Sequence, residues 1–167
     1  VLVQHLTESG AIVTITDINE DRVHQVGAKY GAKIFTGADL YSADVDIYAP
    51  CALGATINDA TINNIKASII AGAANNQLAN EAIHGKILKE KGILYAPDFL
   101  INAGGVINVY SELVKWTNAQ VMEKTENIYN TALEIFKFAD DNNITTHQAA
   151  FSMAQKRIDD AKNELKK

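Results

Sequence analysis

Small and polar residues suited to binding a ligand follow four short β-type stretches of the sequence. Asp17 follows the run 11–16, residues 49–52 follow 45–48, residues 72–76 follow 68–71, and residues 97–105 follow 93–95. Carboxylates accept hydrogen bonds from sugar hydroxyls, amides both donate and accept them, and glycines let a ligand approach the backbone. Because ligands of open α/β sheets bind beyond the carboxyl ends of the strands, these segments predict the binding site.

Asp17 carries the most specific chemistry of this set. A carboxylate at the end of the second strand of a dinucleotide-binding fold accepts the hydroxyls of the adenine ribose and repels a 2′-phosphate, which favours NAD over NADP. That acid follows the first glycine of the phosphate-binding loop by about 20 residues, so the loop is expected before Val1. The alternative interpretation is that Asp17 only caps the following helix.

The other reactive side chains predict neither a nucleophile nor a metal centre. Cys51 has no neighbouring histidine or basic residue that would favour a thiolate, so packing explains it better. The histidines at positions 5, 24, 84 and 147 lie on helical stretches without metal-ligand spacing. The amides at 75–76 fit a turn or a contact to a nicotinamide or its ribose. The segment 102–105 similarly fits the start of a helix or a close approach to a ligand.

The order of elements predicts an α/β fold with a doubly wound parallel sheet. Helical patterns over 20–30, 58–64 and 79–90 separate the β-type runs, and only helical spacing remains after about residue 110. We expect a Rossmann-like partial dinucleotide-binding domain over 1–110 and a C-terminal helical segment over 111–167. The first strand and the glycine loop of the dinucleotide-binding domain are expected to be missing. In the strand order 3-2-1-4-5-6, this absence separates the second strand from the fourth.

Composition argues against several classes of partner. The 167 residues include 15 Lys and Arg against 20 Asp and Glu, so the net charge is −5. An acidic chain with a pI near 5.3 is a poor match for nucleic acid or an anionic membrane surface. No apolar run approaches the roughly 20 residues of a membrane helix. The single cysteine fits a reducing compartment, so we expect a cytoplasmic protein.

Four segments, taken in order, resemble one enzyme family. They read Asp-Ile-Asn at 17–19, Ala-Pro-Cys-Ala-Leu-Gly-Ala at 49–55, Ala-Gly-Ala-Ala-Asn-Asn-Gln-Leu at 71–78, and Pro-Asp-Phe-Leu-Ile-Asn-Ala-Gly-Gly-Val-Ile-Asn-Val at 97–109. They are similar to the cofactor domain of the glutamate/leucine/phenylalanine/valine dehydrogenase family, and the resemblance extends over the helical tail. The Cys-Ala-Leu-Gly-Ala and Asn-Ala-Gly-Gly-Val segments are far more specific than a lone glycine motif.

This resemblance implies the reversible oxidative deamination of an L-amino acid to a 2-oxo acid, with hydride passing to NAD⁺ and ammonia released. It implies a cofactor-binding set of Asp17, Ile18, Asn19, Cys51, Ala52, Asn75 and Asn102. Asp17 would hold the adenine ribose, Asn75 would contact the nicotinamide ribose, and Asn102 would lie near the nicotinamide. Cys51 and Ala52 would line the path between adenosine and the nicotinamide ribose.

The resemblance also places Val106 and Val109 in the pocket for the substrate side chain. Glutamate-specific relatives carry a small polar residue at the position of Val109. An apolar valine favours a branched aliphatic substrate, because burying methyl groups against it gains roughly 1–3 kcal/mol. L-leucine and other branched-chain L-amino acids are therefore the expected substrates. Valine or phenylalanine dehydrogenase activity is the alternative within the family.

The resemblance further implies that the catalytic groups lie outside this chain. The substrate domain with its catalytic lysines and aspartate would precede Val1, and no lysine here can be assigned a catalytic role, so we expect the chain alone to be inactive. Family resemblance implies a homo-oligomer. From a different class, the chain could be a non-catalytic nucleotide-binding module whose tail mediates assembly. The gene sequence upstream of Val1 distinguishes the two.

Overall fold

Five short strands, joined by helices and turns, occupy the chain up to Tyr95, and their ladders are parallel. The computed structural model describes residues 1–165, which form two compact units, Val1–Ala43 and a second that begins at Asp44. This arrangement confirms the predicted α/β fold with Rossmann-like parallel sheets. The division predicted at residue 110 falls within a helix, Gly104–Val114, and stays a prediction.

The first unit is built around one helix between two parallel strands. Its elements are α1 (Leu2–Glu8), β1 (Thr14–Ile15), α2 (Glu20–Tyr30), β2 (Lys33–Ile34) and a 3-10 helix (Leu40–Ser42). The Asn19 side chain accepts a hydrogen bond from the Arg22 backbone N–H and caps α2, and Gly31 ends that helix in the left-handed conformation. Both predicted boundaries of α2 are therefore confirmed, since an N-cap acceptor and a C-terminal glycine satisfy the helix ends.

The strand predicted over 11–16 is shorter than expected, and most of its residues are exposed. The ladder of β1 with β2 covers Thr14–Ile15, and Ile12 is 82% exposed. Within its unit β1 has a single partner strand, so one edge of the strand has no neighbour to extend the ladder. The helix α2 packs closely on β2, because a Cβ added at Gly27 would lie only 3.1 Å from the Ala32 carbonyl oxygen.

The second unit contains a three-stranded parallel sheet. Its first elements are β3 (Ile47–Tyr48), β4 (Ile69–Ile70), α3 (Glu81–Glu90) and β5 (Leu94–Tyr95), with the strand order β3-β4-β5. The core of this unit includes the buried side chains of Ile57, Ile62, Ile70, Leu78 and Leu88. The strands thus pair in two groups, β1-β2 and β3-β4-β5. The sequence predicts this division for a doubly wound order in which the first strand is missing.

The helix predicted over 58–64 is wrong, because this segment forms turns instead. The Asn58 side chain accepts a hydrogen bond from the Ala60 N–H, and the Thr61 hydroxyl accepts one from the Asn58 N–H. That hydroxyl also donates to the Thr56 carbonyl at 2.6 Å. Side chains that bond to nearby backbone groups compete with the helical hydrogen-bond pattern, and here they hold the chain in turns.

Five helices follow the sheet: α4 (Asp98–Ile101), α5 (Gly104–Val114), α6 (Asn118–Glu126), α7 (Ile128–Asp141) and α8 (Thr146–Glu164). Helices α7 and α8 form a hairpin whose core contains Ile135, Ala139, Ala149 and Ala150. Thr145 and Gln148, which have the Thr-x-x-Gln spacing of a capping box, form that capping box at the start of α8. None of the helices within residues 1–165 is both long and apolar enough to cross a bilayer.

The turn between α7 and α8 fixes this hairpin to the sheet. The Thr146 hydroxyl donates to the Tyr95 carbonyl at the end of β5, with an O···O distance of 2.6 Å. The Lys89 ammonium of α3 donates to the Asn143 carbonyl at 2.7 Å. The helical tail therefore supports the edge of the sheet where β5 ends, which is one of the edges expected to carry the binding site.

Candidate functional site

The loops that follow β3 and β4 are in direct backbone contact. A Cβ added at Gly54 would lie 2.6 Å from the Asn75 carbonyl oxygen, and one added at Gly72 would overlap the backbone of Pro50. The Ala55 N–H donates to the Asn76 carbonyl at 2.6 Å. Glycine is required at both positions because real Cβ atoms do not approach another heavy atom closer than 3.0 Å. Residues 49–55 and 72–76 thus form one continuous surface.

The loop that follows β5 joins this surface through two hydrogen bonds. The Asn76 backbone N–H donates to Asp98 Oδ2 at 2.6 Å. The Asn102 side-chain amide donates to Asn75 Oδ1 at 2.5 Å, across a sequence separation of 27 residues. The carboxyl-end segments of the second unit therefore converge, and they bring together two of the residues that the sequence selects, Asn75 and Asn102.

The amide pair of Asn75 and Asn102 leaves hydrogen-bonding capacity for a ligand. Their mutual bond uses Asn102 Nδ2 as donor and Asn75 Oδ1 as acceptor, so Asn75 Nδ2 can still donate and Asn102 Oδ1 can still accept. Asn75 is exposed and Asn102 is half-buried. A donor and an acceptor held side by side are complementary to a carboxamide or to the hydroxyls of a ribose, so this donor set fits a nicotinamide nucleoside.

Two buried polar side chains beneath the surface were not assigned a role from the sequence. Asp98 is 8% exposed, and its Oδ1 accepts a hydrogen bond from the Tyr95 hydroxyl at 3.1 Å. Burial and the neighbouring Asp98 carboxylate raise the pKa of the Tyr95 phenol. Gln77 is fully buried, and its amide donates to the carbonyls of Gly72 at 2.6 Å and Ala74 at 3.0 Å. It thereby holds the loop that leads to Asn75.

The only sequence signal for these two residues was their position just after a strand. Asp98 follows Pro97 at the start of α4, a place where an acidic residue ordinarily interacts with the helix dipole. Gln77 follows Asn75 and Asn76 in the loop after β4. Neither pattern distinguishes a buried, hydrogen-bonded side chain from a solvated one, because burial of a polar group depends on contacts made far along the sequence.

The remaining predicted residues of the second unit are exposed. Cys51 is a free, exposed thiol, and Ala52 is exposed beside it. Val106 and Val109 are 66% and 62% exposed on α5, and their spacing of three residues places them on one side of that helix. Beside Val106, an open groove has an apolar lining of Val106, Ile107, Tyr110, Trp116 and the stem of Lys124. These exposed apolar residues form a surface suited to an apolar side chain.

The predicted residues of the first unit lie in the turn between β1 and α2. The Asp17 carboxylate is exposed, and its Oδ1 accepts a hydrogen bond from the Asn19 backbone N–H at 3.0 Å. Asn19, not Asp17, caps α2, so the alternative interpretation of Asp17 as the helix cap is wrong. Ile18 is fully exposed. Asp17 therefore shapes the turn and presents a carboxylate to solvent at the carboxyl end of β1.

No group of three or more His, Cys, Asp or Glu side chains within residues 1–165 is placed to hold a metal ion. Among the four histidines, His84 is buried. Its Nδ1 accepts from the Asn80 N–H, so its Nε2 carries the proton directed at Asp59, 3.1 Å away. These contacts give His84 a structural role at the start of α3.

The known proteins that are similar to this chain are amino-acid dehydrogenases. A family model described as glutamate/leucine/phenylalanine/valine dehydrogenase matches residues 4–165. The leucine dehydrogenase of Geobacillus stearothermophilus is 48% identical over 158 residues, which are 95% of this chain and 43% of that protein. The phenylalanine dehydrogenase of Bacillus thermotolerans is 46% identical over 160 residues, which are 92% of this chain and 41% of that protein.

A solved structure matches the fold closely. The crystal structure of L-tryptophan dehydrogenase from Nostoc punctiforme aligns with a TM-score of 0.93 at 44% sequence identity, covering 97% of this chain and 48% of that one. The chain thus spans a little less than half the length of the relatives it matches.

Proposed function

Because this chain belongs to the glutamate/leucine/phenylalanine/valine dehydrogenase family, we propose that it is the cofactor-binding part of an NAD-dependent amino-acid dehydrogenase. The proposed reaction is the reversible oxidative deamination of L-leucine and other branched-chain L-amino acids to 2-oxo acids, with release of ammonia. The nicotinamide supplies the hydride acceptor when it is bound. No lysine of this chain is assigned a catalytic role, so the chain by itself is proposed to be inactive.

The observation that carries this proposal is the hydrogen-bonded pair of Asn75 and Asn102 at the carboxyl ends of β4 and β5. In a parallel sheet this edge is where a dinucleotide binds. We propose that Asn75 binds the nicotinamide ribose and that Asn102 orients the nicotinamide ring. The close backbone approaches at Gly54 and Gly72 support the role, because they hold the two loops at fixed separation. Cys51 and Ala52 are proposed to line the neighbouring path of the cofactor.

Asp17 is proposed to bind the adenine ribose and to set the preference for NAD. Its exposed carboxylate at the end of β1 can accept hydrogen bonds from ribose hydroxyls and would repel a 2′-phosphate. Ile18 and Asn19, which share its turn, are proposed to contact the adenosine. Substituting Asp17→Ser should weaken NAD⁺ binding and narrow the discrimination against NADP⁺. An unchanged ratio of kcat/KM for the two cofactors would contradict this role.

The substrate is proposed to be apolar, on the basis of the exposed Val106 and Val109. Methyl groups buried against these side chains favour a branched aliphatic substrate. A second candidate is an aromatic L-amino acid, favoured by relatives named for phenylalanine and tryptophan at 46% and 44% identity. The aromatic groove beside Val106 supports the same candidate. Substituting Val109→Ser should lower kcat/KM for L-leucine by about tenfold, without a matching loss for smaller substrates.

The direct test is a substrate panel with the complete gene product. L-leucine, L-valine, L-phenylalanine, L-tryptophan and L-glutamate are offered with NAD⁺ or NADP⁺, and reduced nicotinamide is followed by its absorbance. The highest kcat/KM is expected for L-leucine with NAD⁺. Asn75→Ala and Asn102→Ala should reduce it by at least tenfold, whereas Asn63→Ala, at an exposed turn, should not. Absence of turnover with every substrate would reject the proposal and favour a non-catalytic nucleotide-binding module.

The complete protein is further proposed to be a cytoplasmic homo-oligomer. The support is the apolar surface that the helical tail leaves exposed, which includes Leu113 on α5 and Phe151 on α8 at 78% and 60% exposure. Exposed apolar surface of this kind is typical of interfaces. Light scattering coupled to size-exclusion chromatography tests the assembly, and a monomeric mass would contradict it.

A further inference from the structure

We propose that Asp98 is a positioning residue that sets the geometry of the Asn75–Asn102 pair without itself serving as a cofactor ligand. The inference deepens the proposed function and rests on it. It follows from three hydrogen bonds by which one buried residue at the end of β5 controls both sides of that pair.

The Asp98 carboxylate is committed to the protein through both of its oxygens. Oδ2 accepts from the Asn76 backbone N–H at 2.6 Å, and Oδ1 accepts from the Tyr95 hydroxyl at 3.1 Å. The side chain is buried, and a buried carboxylate requires such partners to offset the loss of hydration. Because its oxygens are engaged beneath the surface, the carboxylate acts on a ligand through the residues that it holds.

The residue that Asp98 holds has an unusual backbone conformation. Asn76 lies in the left-handed region with a φ of 51°, where a non-glycine residue is rare and requires support from its surroundings. A charge-assisted hydrogen bond to its N–H supplies that support. The left-handed turn at Asn76 directly follows Asn75, so it fixes the course of the loop backbone that carries Asn75.

The same aspartate also fixes the partner amide. Its backbone carbonyl accepts a hydrogen bond from the Asn102 N–H at 2.9 Å across the single turn of α4. The side chain of Asp98 therefore anchors the loop of Asn75, and its main chain anchors Asn102. The carbonyl of Asn76 in turn accepts from the Ala55 N–H, which extends the same connection to the loop after β3.

This arrangement predicts different effects of an Asp98 substitution on the binding of the two halves of the cofactor. Loss of the Asp98 carboxylate should disturb the residues proposed for the nicotinamide riboside but not those proposed for adenosine. ADP contains the adenosine half and lacks the nicotinamide riboside. The ratio of the dissociation constants for NADH and ADP therefore reports the positioning role, and a general loss of folded protein would leave that ratio unchanged.

The experiment measures both constants by calorimetry on the complete gene product. Asp98→Ala should weaken NADH binding by about 10- to 100-fold, the equivalent of one hydrogen bond to a charged group. Its ADP affinity should stay within about twofold. Asp98→Asn should weaken NADH binding by less than Asp98→Ala does, because its amide oxygen still accepts from the Asn76 N–H but carries no charge. The matched control is Thr146→Val, which removes the bond to the Tyr95 carbonyl and should lower the melting temperature without changing the ratio.

The outcomes distinguish the inference from the function on which it rests. Equal changes for NADH and ADP in both Asp98 variants, or no change in either, would overturn the positioning role. If Asp98→Ala does not fold, the isosteric Asp98→Asn carries the same comparison, and an unaltered ratio in that variant overturns the inference. A wild-type protein that binds ADP but not NADH, or neither, would instead reject the proposed function itself.

Discussion

Replacing Gly72 by alanine should strongly destabilise the second unit, because the backbone leaves no room for a side chain. A Cβ at this position would lie 2.5 Å from the Pro50 nitrogen and 2.6 Å from its Cδ, and closer still to its carbonyl oxygen. The proline ring is fixed in φ and cannot rotate away from the intruding atom. The loops after β3 and β4 must therefore move apart to accommodate it.

The size of the effect follows from the bonds that this movement breaks. Separating the loops by roughly 1 Å stretches the Ala74 N–H to Pro50 carbonyl bond, now 2.9 Å, and the Ala71 N–H to Tyr48 carbonyl bond, now 3.0 Å. Each bond contributes about 0.5–1.5 kcal/mol, and overpacking of a tight site costs about 1–3 kcal/mol. We expect Gly72→Ala to lower the free energy of unfolding by about 2–6 kcal/mol.

Thermal unfolding of the complete gene product, followed by circular dichroism, measures this effect. The expected loss corresponds to a fall of about 5–15 °C in the melting temperature. The matched control is Gly105→Ala in the first turn of α5, where an added Cβ meets no heavy atom within 4 Å. That substitution should stabilise by about 0.5–1 kcal/mol, because alanine is the better helix former. A Gly72→Ala variant as stable as the wild type would refute the steric argument, and so would equal shifts in both variants.

Two further predictions concern the buried tyrosine and the helix caps. Because the pKa of Tyr95 is raised in the folded state by burial and by Asp98, the free energy of unfolding should fall as pH rises above the ordinary tyrosine pKa of about 10. When the free energy of unfolding is measured at a series of pH values, Tyr95→Phe should make that fall shallower. An equally steep fall in the variant would contradict the attribution of the pH dependence to Tyr95. Thr145→Ala should lower stability by about 1–2 kcal/mol, whereas Thr117→Ala should cost only about 0.5–1 kcal/mol. Both residues make capping boxes, but Thr145 is buried and Thr117 is not, so a larger loss at Thr117 in thermal unfolding would reject the reasoning.

Elements governed by local rules could be predicted from the sequence. The start and end of α2 at Asn19 and Gly31, and the start of α8 at Thr145, depend on side chains that bond to a backbone group within a few residues. The error at 58–64 has an equally local cause, since Asn58 and Thr61 bond to the nearby backbone and hold turns. Strand lengths were overpredicted at 11–16 because a strand extends only as far as its partner follows it.

The site could be predicted only in part, for a related reason. That loops at the carboxyl ends of parallel strands converge is a property of the fold class, and it brought Asn75 and Asn102 together as expected. The supports beneath them depend on which polar groups become buried. Asp98 has the sequence features of a helix start, yet its side chain bonds to Asn76, 22 residues earlier. Nothing in the order of residues specifies that bond before the sheet has formed.

The frame of the site is built from backbone groups and the side chains beneath them, so it is independent of the side chains proposed to face the cofactor. The bond from the Ala55 N–H to the Asn76 carbonyl and the bond from the Asn76 N–H to the Asp98 carboxylate join the three loops, and the bond from the Asn102 N–H to the Asp98 carbonyl holds Asn102 within the third. Truncation of the exposed Asn75 amide removes none of these bonds. Substitutions at Asn75 should therefore reduce cofactor affinity at nearly constant melting temperature. Substitutions at Asp98 should change both, and this difference separates the chemistry of the surface from the support under it.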